Sequence, residues 1–491
     1  MDVIPIALTD QQKPLDNIRI RTHFVVKGRL DGAALKAGLD KLIREHWRKL
    51  GGRLVRDSRG VFEYHVPQTF TDGYELFTWT ETDKSSESIE TAVPSLKAPS
   101  AAPKEAETAT ETDGSASGGT VGGMVFLPPV TVYDAAFRPA SWPFHVADDP
   151  SDSPILYIHM TLYEDASVLA MSVPHIVTDQ MGLTTLVNAW MGVLAEQTPP
   201  PLIDDPLPYK RQFGDLRPVE ARRVGKMHVR RWGEMFFMIL GFLFELVFSK
   251  EEVDHILFMP HSLVKSVRQR FTKELEKNGN DPGISDNDVI TAILTKVCIS
   301  RRSGCLVRSL TQTVREDDDF ESDCQPLTGS VLDGFIHNGL TFASSRFKYK
   351  PDMPTSEIAY MNRQSVRSIF MAGEADINLA IAREMVRRKQ RIFICEALEQ
   401  AYTVISWSAA WKGLDLTNAV ELKEKEKHTH QGTKPEVFVL GRGGERSTPR
   451  RFNTTVMFRN DEGYWLDIGC SKKNMVAIQA YLAVDPMLKE I

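Results

Sequence analysis

Residues 167–194 constrain the fold more than any other part of this sequence. Residues 167–173 form a short apolar run that contains β-branched residues, which is typical of a largely buried strand, and Pro174 closes it. The residues that follow, up to Leu194, carry large apolar side chains at helical spacing, which predicts an amphipathic helix beginning near Thr178 or Asp179. A buried strand that leads directly into a helix favours an α/β fold.

His175 lies in the connection between this strand and this helix, four residues before Asp179. Connections on a rigid scaffold often present catalytic residues, and imidazole exchanges protons near neutral pH. His175 is therefore a candidate general base, although a solvated or core role is the alternative for any one of the 12 histidines. Asp179 can accept a hydrogen bond from His175 or pair with an Arg, and Gly182 would let another backbone pass close to the helix start.

Strand and helix patterns alternate along the rest of the chain. Apolar residues alternate over 18–26, as on one face of a strand, and then take helical spacing over 35–47 before Gly51 and Gly52. In the second half, the patterns predict a helix after Ser285 and strands within 335–347 and 454–458.

Two shifts in composition divide the chain. Residues 81–123 consist mainly of small and polar residues, which predicts a disordered insertion, and the proline-rich segment 198–218 predicts the start of a crossover. A length of 491 residues suggests two or three domains. We expect an N-terminal domain at 1–205, a crossover and apolar connector at 206–250, and a C-terminal domain at 251–491.

The composition is that of a globular protein, with 42% hydrophobic and 25% charged residues. A net charge of −6 gives no reason to expect nucleic-acid binding. The five cysteines show no CxxC spacing, so we expect neither a zinc site nor a disulfide framework, and no other metal site is predicted. The first residues lack a basic region followed by an apolar run, which predicts a cytoplasmic protein.

Residues 235–248 form the one strongly apolar stretch of the sequence. It is shorter than the ~20 residues that a membrane-spanning helix needs. The stretch is a buried helix or connector, or else a surface that contacts a membrane or apolar substrates without spanning the bilayer.

The His175, Asp179 and Gly182 pattern resembles the HxxxD signature of the BAHD-type acyltransferases, within the chloramphenicol-acetyltransferase-like group. Other segments follow in the family's order: the opening Leu-x-x-x-Asp at 6–10, the first helix and strand at 30–54, the helix that opens the second half at 285–292, and the Thr-Ser-Trp and Asp-Phe-Gly motifs at 405–407 and 415–416. The resemblance covers nearly the whole chain apart from the insertion, and its departures are closest to fungal natural-product members.

The resemblance implies an α/β fold of two chloramphenicol-acetyltransferase-like domains, each a mixed sheet flanked by helices, with a tunnel between them. It also implies a monomeric acyl-CoA:alcohol O-acyltransferase that moves an acyl group, acetyl being the expected one, to a hydroxyl of a secondary metabolite. Acyl-CoA is then a co-substrate, and no cofactor stays bound. Transfer to an amine, condensation with a carrier-protein thioester, and non-catalytic binding on the same fold are the alternatives.

By the same resemblance, His175 deprotonates the acceptor, and Asp179 pairs with an Arg to hold His175 in place. Trp407 donates its indole N–H to the oxyanion, and Ser406 is the candidate for the hydroxyl that Ile405 lacks. Asp415 has an architectural role. The residues that follow Asp415 differ from the Phe-Gly-Trp-Gly of the family. The segment 467–469 is an alternative match to the Asp-Phe-Gly motif. Lys or Arg side chains should bind the phosphates of coenzyme A, but the sequence does not identify them.

Overall fold

The computed structural model describes most of the chain. The described residues are 1–93, 120–121, 123–203, 222–248, 250–299, 308–315, 333–350, 352–369, 374–392, 394, 396–421, 434–444 and 449–491.

The regular elements alternate along these residues. The strands are β1 Asp2–Pro5, β2 Arg19–Lys27, β3 Arg53–Arg56, β4 Phe62–Val66, β5 Thr78–Lys84, β6 Thr120–Val121, β7 Met124–Leu127, β8 Tyr157–Tyr163, β9 Ala166–Pro174, β10 Glu252–Pro260, β11 Arg308–Arg315, β12 Leu340–Phe347, β13 Gln400–Ser406, β14 Val437–Arg442, β15 Asn453–Arg459 and β16 Gly463–Ser471. The helices are α1 Gly32–Lys41, α2 Ile89–Ala92, α3 Val130–Phe137, α4 Gln180–Leu194, α5 Trp232–Phe248, α6 His261–Lys277, α7 Asp286–Ile299, α8 Thr355–Ile369, α9 Glu374–Arg387 and α10 Lys472–Val484.

Two large mixed sheets organise the molecule. One has the strand order β14-β2-β9-β8-β5, and the other has the order β12-β11-β13-β15-β16-β10-β7-β6. Parallel pairs, such as β5 with β8 and β11 with β13, occur beside antiparallel ones in each sheet. Helix α1 packs against α4 near the first sheet, and α6, α7 and α8 pack together near the second. The fold is therefore the pair of helix-flanked mixed sheets that the family resemblance implies.

Each half of the chain contributes to the sheet of the other half. Strand β14 pairs with β2, where Val439 faces Phe24, and β7 pairs with β10, where Phe126 faces Leu257. The predicted boundaries at 205 and 251 therefore do not separate the two sheets. Pairing of this kind covers strand edges that would otherwise be exposed, and it joins segments far apart in the chain, so no local pattern reveals it.

The prediction of a disordered insertion at 81–123 is wrong for its first residues. Residues 81–84 complete β5, which pairs in parallel with β8, and the short α2 follows. Ser88 caps α2 by accepting a hydrogen bond from the backbone N–H of Thr91. Strand pairing and helix capping hold these polar residues in regular structure, and neither interaction can be predicted from amino-acid composition. Residues 94–119 lie outside the described part of the chain.

The segment around the HxxxD pattern is confirmed as a buried strand that leads into a helix. Strand β9 is buried along its whole length and lies at the centre of its sheet. Asp179 is the N-cap of α4, since its side chain accepts a hydrogen bond from the backbone N–H of Gly182 at 2.8 Å. Trp190 fixes α4 against α1 by donating its indole N–H to the carbonyl oxygen of Leu35 at 2.9 Å.

Strand β2 is buried on both faces, and not only on the apolar face that its alternation predicts. Arg19, Arg21 and His23 are wholly buried. Arg19 pairs with Asp149 at 2.8 Å, while Arg21 and His23 both contact Asp134, at 3.0 and 3.2 Å. Buried charges are tolerated only with such partners, and the partners come from later segments of the chain.

Candidate active site

His175 follows directly after β9, and both of its backbone polar groups are hydrogen-bonded. Its N–H donates to the carbonyl oxygen of Ile18 at 2.8 Å, and its carbonyl oxygen accepts from the side-chain amide of Asn338 at 2.8 Å. The His175 side chain lines a cavity of about 520 Å³. The end of a rigid strand thus places His175 on a cavity, a position in which catalytic residues are often found.

The cavity lies between the two large sheets. Ile18 and Ile20 contribute from the side of β2, and Thr403 and Ile405 contribute from β13. Most of the lining is apolar, including Leu15, Met181, Phe242, Leu246, Phe342 and Ile394. A mainly apolar pocket with a few polar groups is typical of a small-molecule site.

Burial is the largest influence on the pKa of His175, and it lowers that pKa. A contact with its own backbone carbonyl and the charge of Asp179 act in the opposite direction but do not cancel it. The Nδ1 atom of the ring is buried and has no partner of good hydrogen-bond geometry. The imidazole is therefore neutral at neutral pH, and a general base must be in that form.

Asp179 is buried and supports the loop around His175. One of its carboxylate oxygens accepts from the backbone N–H of Gly182, and the other accepts from the backbone N–H of Gly339 at 3.1 Å. A Cβ atom at position 182 would lie 2.2 Å from the carbonyl oxygen of Ile336, so glycine permits the close backbone approach at this point. The Arg partner that the resemblance implies for Asp179 stays a prediction.

Ser406 and Trp407 line the same cavity as His175, although they come from the opposite sheet. The Ser406 hydroxyl lies 2.9 Å from that of Ser408 and 3.3 Å from the amide oxygen of Asn287. The backbone N–H of Trp407 donates to the carbonyl oxygen of Val456 at 2.8 Å, which fixes the end of β13. The structure brings these residues together with His175, and their role toward an oxyanion stays a prediction.

Asp415 and Asp467 are not among the residues that line this cavity. Asp415 is exposed and accepts hydrogen bonds from the backbone and side chain of Thr417, which lowers the pKa of its carboxyl group. Asp467 is buried on β16, where it pairs with Arg450. Each of the two holds local structure, and both lie outside the lining of the cavity.

Three polar residues around the cavity do not belong to any recognisable sequence motif. Asn338 holds the backbone of His175, Thr403 places a hydroxyl-bearing side chain on the cavity, and Arg391 brings a positive charge to the lining. Each is one polar residue in an unremarkable segment, so only tertiary structure identifies it. Within the part of the chain that the structure describes, no group of three or more His, Cys, Asp or Glu side chains could hold a metal ion.

Comparisons with known proteins place this geometry in context, although no family model matches the chain. The chain is 28% identical over 276 residues to the acetyltransferase adrJ of Penicillium rubens, covering 53% of this chain and 50% of that protein. It is 24% identical over 405 residues to the transcriptional regulator calD of Penicillium decumbens, covering 79% of this chain and 75% of that protein. The chain thus spans about half the length of the first of these relatives.

Solved structures share the fold over almost the whole chain. F. sporotrichioides TRI101, complexed with coenzyme A and T-2, has a TM-score of 0.62 at 14% identity and covers 98% of this chain and 97% of its own. Vinorine synthase has a TM-score of 0.57 at 12% identity and covers 97% of this chain and 92% of its own. Identities this low show the fold alone. The fold agrees with the order of motifs along the sequence and with the fungal acetyltransferases among the sequence relatives. In its fold the chain is similar to TRI101 and vinorine synthase, and in its sequence it is similar to fungal proteins named acetyltransferases.

Proposed function

We propose that this protein transfers an acyl group, acetyl being the expected one, from acyl-CoA to a hydroxyl of an apolar secondary metabolite. The placement of His175 carries the proposal: a ring whose pKa is lowered by burial faces an apolar cavity between the two sheets. The relative adrJ is named an acetyltransferase, and TRI101 was solved with coenzyme A and T-2. These names support acyl-CoA as the donor and a hydroxylated small molecule as the acceptor.

In the proposed reaction, the neutral His175 removes the proton of the acceptor hydroxyl while the oxygen attacks the thioester carbonyl. The resulting tetrahedral oxyanion needs a donor aimed at its negative charge, and one such donor is typically worth ~3 kcal/mol. The candidates on the cavity are the indole of Trp407 and the hydroxyls of Ser406 and Thr403. Collapse of the intermediate forms the ester and expels the coenzyme A thiolate. The thiolate then receives the proton that His175 took from the acceptor.

The direct test is acyl transfer itself. Purified protein is incubated with acetyl-CoA and a panel of hydroxylated metabolites, and both thiol release and ester mass are recorded. We expect thiol release that depends on the acceptor, with one acetyl group added to the product. Product formed only from a carrier-protein thioester would instead support condensation. Binding of metabolites without any turnover would support a non-catalytic role, which the name of calD makes the second candidate.

Arg391 is the candidate for binding the phosphates of coenzyme A, because it lines the cavity and is exposed to solvent. We expect Arg391→Ala to raise the KM for acetyl-CoA ~10-fold, the scale of one charge-assisted hydrogen bond, with kcat little changed. Steady-state kinetics with the neighbouring Arg388→Ala as control measure this effect. The KM for a short acetyl thioester without phosphates should not change. An equal rise for both donors would contradict phosphate binding.

We also propose that α5 contacts a membrane surface without crossing it. No helix among the described residues is long and apolar enough to span a bilayer. One stripe of α5 is nonetheless apolar and exposed to solvent, and it consists of Trp232, Phe236, Ile239, Leu243 and Val247. Two of these residues, Ile239 and Leu243, also line the cavity, so the stripe borders a path for an apolar acceptor.

Vesicle sedimentation tests the membrane contact. Wild-type protein should sediment with phosphatidylcholine vesicles, and the double variant Phe236→Asp, Val247→Asp should bind at least ~10-fold more weakly, because each apolar side chain contributes ~1.5–3 kcal/mol when buried. Val132→Asp changes an exposed valine on α3 and is the matched control. Wild-type protein that stays in the supernatant would reject the proposal. The monomeric state and the cytoplasmic location stay predictions.

A further inference from the structure

A buried polar cluster lies next to His175, and none of its residues lines the cavity. Its first member is Asp10, in the 3₁₀ helix Leu8–Gln11, which is 1% exposed. Neither carboxylate oxygen of Asp10 has a partner of good hydrogen-bond geometry. A carboxylate withdrawn from water in this way is costly, so its neighbours decide what it does.

Asn338 lies between Asp10 and His175. Its side-chain N–H donates to the backbone carbonyl of His175 at 2.8 Å, and its amide oxygen is buried without a hydrogen bond among the described residues. Burial raises the pKa of Asp10, and the side chains of His337 and Asn338, which face its carboxylate, oppose that rise by favouring the charged form. The Asn338 side chain favours the charged imidazole as well, by raising the pKa of His175.

His337 and Lys49 bound the far end of the cluster. His337 Nδ1 lies 3.5 Å from a carboxylate oxygen of Asp10, and its Nε2 lies 3.3 Å from the Lys49 ammonium nitrogen and 3.2 Å from the carbonyl oxygen of Ile203. Both side chains are buried. The cluster therefore runs without interruption from Lys49 through His337, Asp10 and Asn338 to the base.

We propose that Asn338 and Asp10 are positioning residues for His175: Asn338 fixes the backbone that carries the ring, and Asp10 stabilises the positive charge that the ring acquires when it takes the acceptor proton. The inference rests on the proposed function, since it assigns a role within the same reaction. It adds a second carboxylate behind the base, from a different element of the chain than Asp179.

The sign of the effect on pH dependence follows from the charges that face the ring. These are Asp179 from the same loop, Asp10 from the 3₁₀ helix, His337 and Lys49 beyond it, and Arg391 in the cavity lining. Asp10 raises the pKa of His175, against the larger effect of burial. Removing the charge of Asp10 should therefore lower that pKa further and move the acidic limb of kcat/KM to lower pH.

The experiment compares pH profiles and steady-state constants of three variants. Asp10→Asn should lower kcat ~10-fold or more, the usual scale of one close opposite charge, leave both KM values unchanged and shift the acidic limb down. Asn338→Asp places a carboxylate beside the ring and should shift the same limb up. Asp16→Asn, in the 3₁₀ helix Leu15–Asn17, changes a carboxylate that faces Arg56 at 3.9 Å and should leave the pH profile unchanged.

Opposite shifts of the acidic limb support the proposal, because a merely structural role would lower activity without moving the limb in two directions. If the acidic limb of kcat/KM shifts in neither Asp10→Asn nor Asn338→Asp while His175→Ala is inactive, the role of the cluster is overturned and the proposed function stays intact. A fully active His175→Ala would show that another group takes the proton, whereas a wild-type protein without acyl transfer would overturn the proposed function itself. Thermal unfolding is recorded for each variant, and if Asp10→Asn does not fold, the upward shift of Asn338→Asp decides alone.

Discussion

Replacing His175 with alanine should lower the rate of acyl transfer from acetyl-CoA by at least ~100-fold, the usual effect of removing a general base. The ring is held at the end of β9 by two backbone hydrogen bonds, so truncating the side chain removes the base without removing what positions the loop. The binding surfaces for acyl-CoA and acceptor are otherwise kept. We therefore expect kcat to fall while both KM values change little.

His65→Ala is the matched control for this measurement, because His65 is half-buried on β4, pairs with Glu63 at 2.8 Å and is not among the lining residues of the cavity. Thiol release by the control should equal that of the wild type. The melting temperatures of all three proteins should agree within a few degrees. Equal thiol release by His175→Ala and the wild type would show that another group takes the proton.

The sequence was sufficient to locate the strand, the turn and the helix that present His175. A short β-branched run, a proline, an N-cap aspartate and apolar residues at helical spacing all act within one segment, so local periodicity predicts β9 and α4 together. The glycine at 182 also had a local meaning, because only a residue without Cβ can pass so close to the Ile336 carbonyl.

The surroundings of His175 could not be predicted in the same way. Asp10 belongs to the opening motif of the sequence, but nothing in its segment or in that of Asn338 indicates that both lie near His175. The same holds for β14, which pairs with β2 across the expected domain boundary. Contacts of this kind depend on tertiary packing, and a single sequence contains no periodic signal for them.

The apolar segment at 235–248 shows a third situation, in which one part of the helix is buried or lines the cavity and another part is exposed. In α5, Met238 is buried and Phe242 lines the cavity, whereas Phe236 and Val247 are exposed. A helix that is apolar on all sides gives no periodic signal for its buried face. Only the position of the cavity in the structure distinguishes the side of α5 that lines the site from the side that is exposed to solvent.

Replacing Asp134 with alanine should have the largest effect on folding, lowering the free energy of unfolding by ~3–5 kcal/mol, the usual cost of removing one partner of a buried ion pair. Asp134 is buried on α3 and contacts Arg21, His23 and Arg138, of which Arg21 and His23 are wholly buried. Without the carboxylate, the Arg21 guanidinium stays buried without its partner. Urea unfolding at pH 7 measures the loss, and an Asp134→Ala protein as stable as the wild type would contradict it.

The pH dependence of this loss provides a second measurement. Burial alone would raise the pKa of Asp134 from its ordinary value of 3.8, but the hydrogen bond from His23 and the charges of Arg21 and Arg138 outweigh burial and hold it well below that value. A depressed pKa adds stability at pH values above 3.8, and that stability is lost as the pH falls further. The stability difference between wild type and Asp134→Ala should therefore narrow in acid. Asp40→Ala removes the exposed pair of Asp40 with Arg44 and should cost only ~0.5 kcal/mol, with little change in acid.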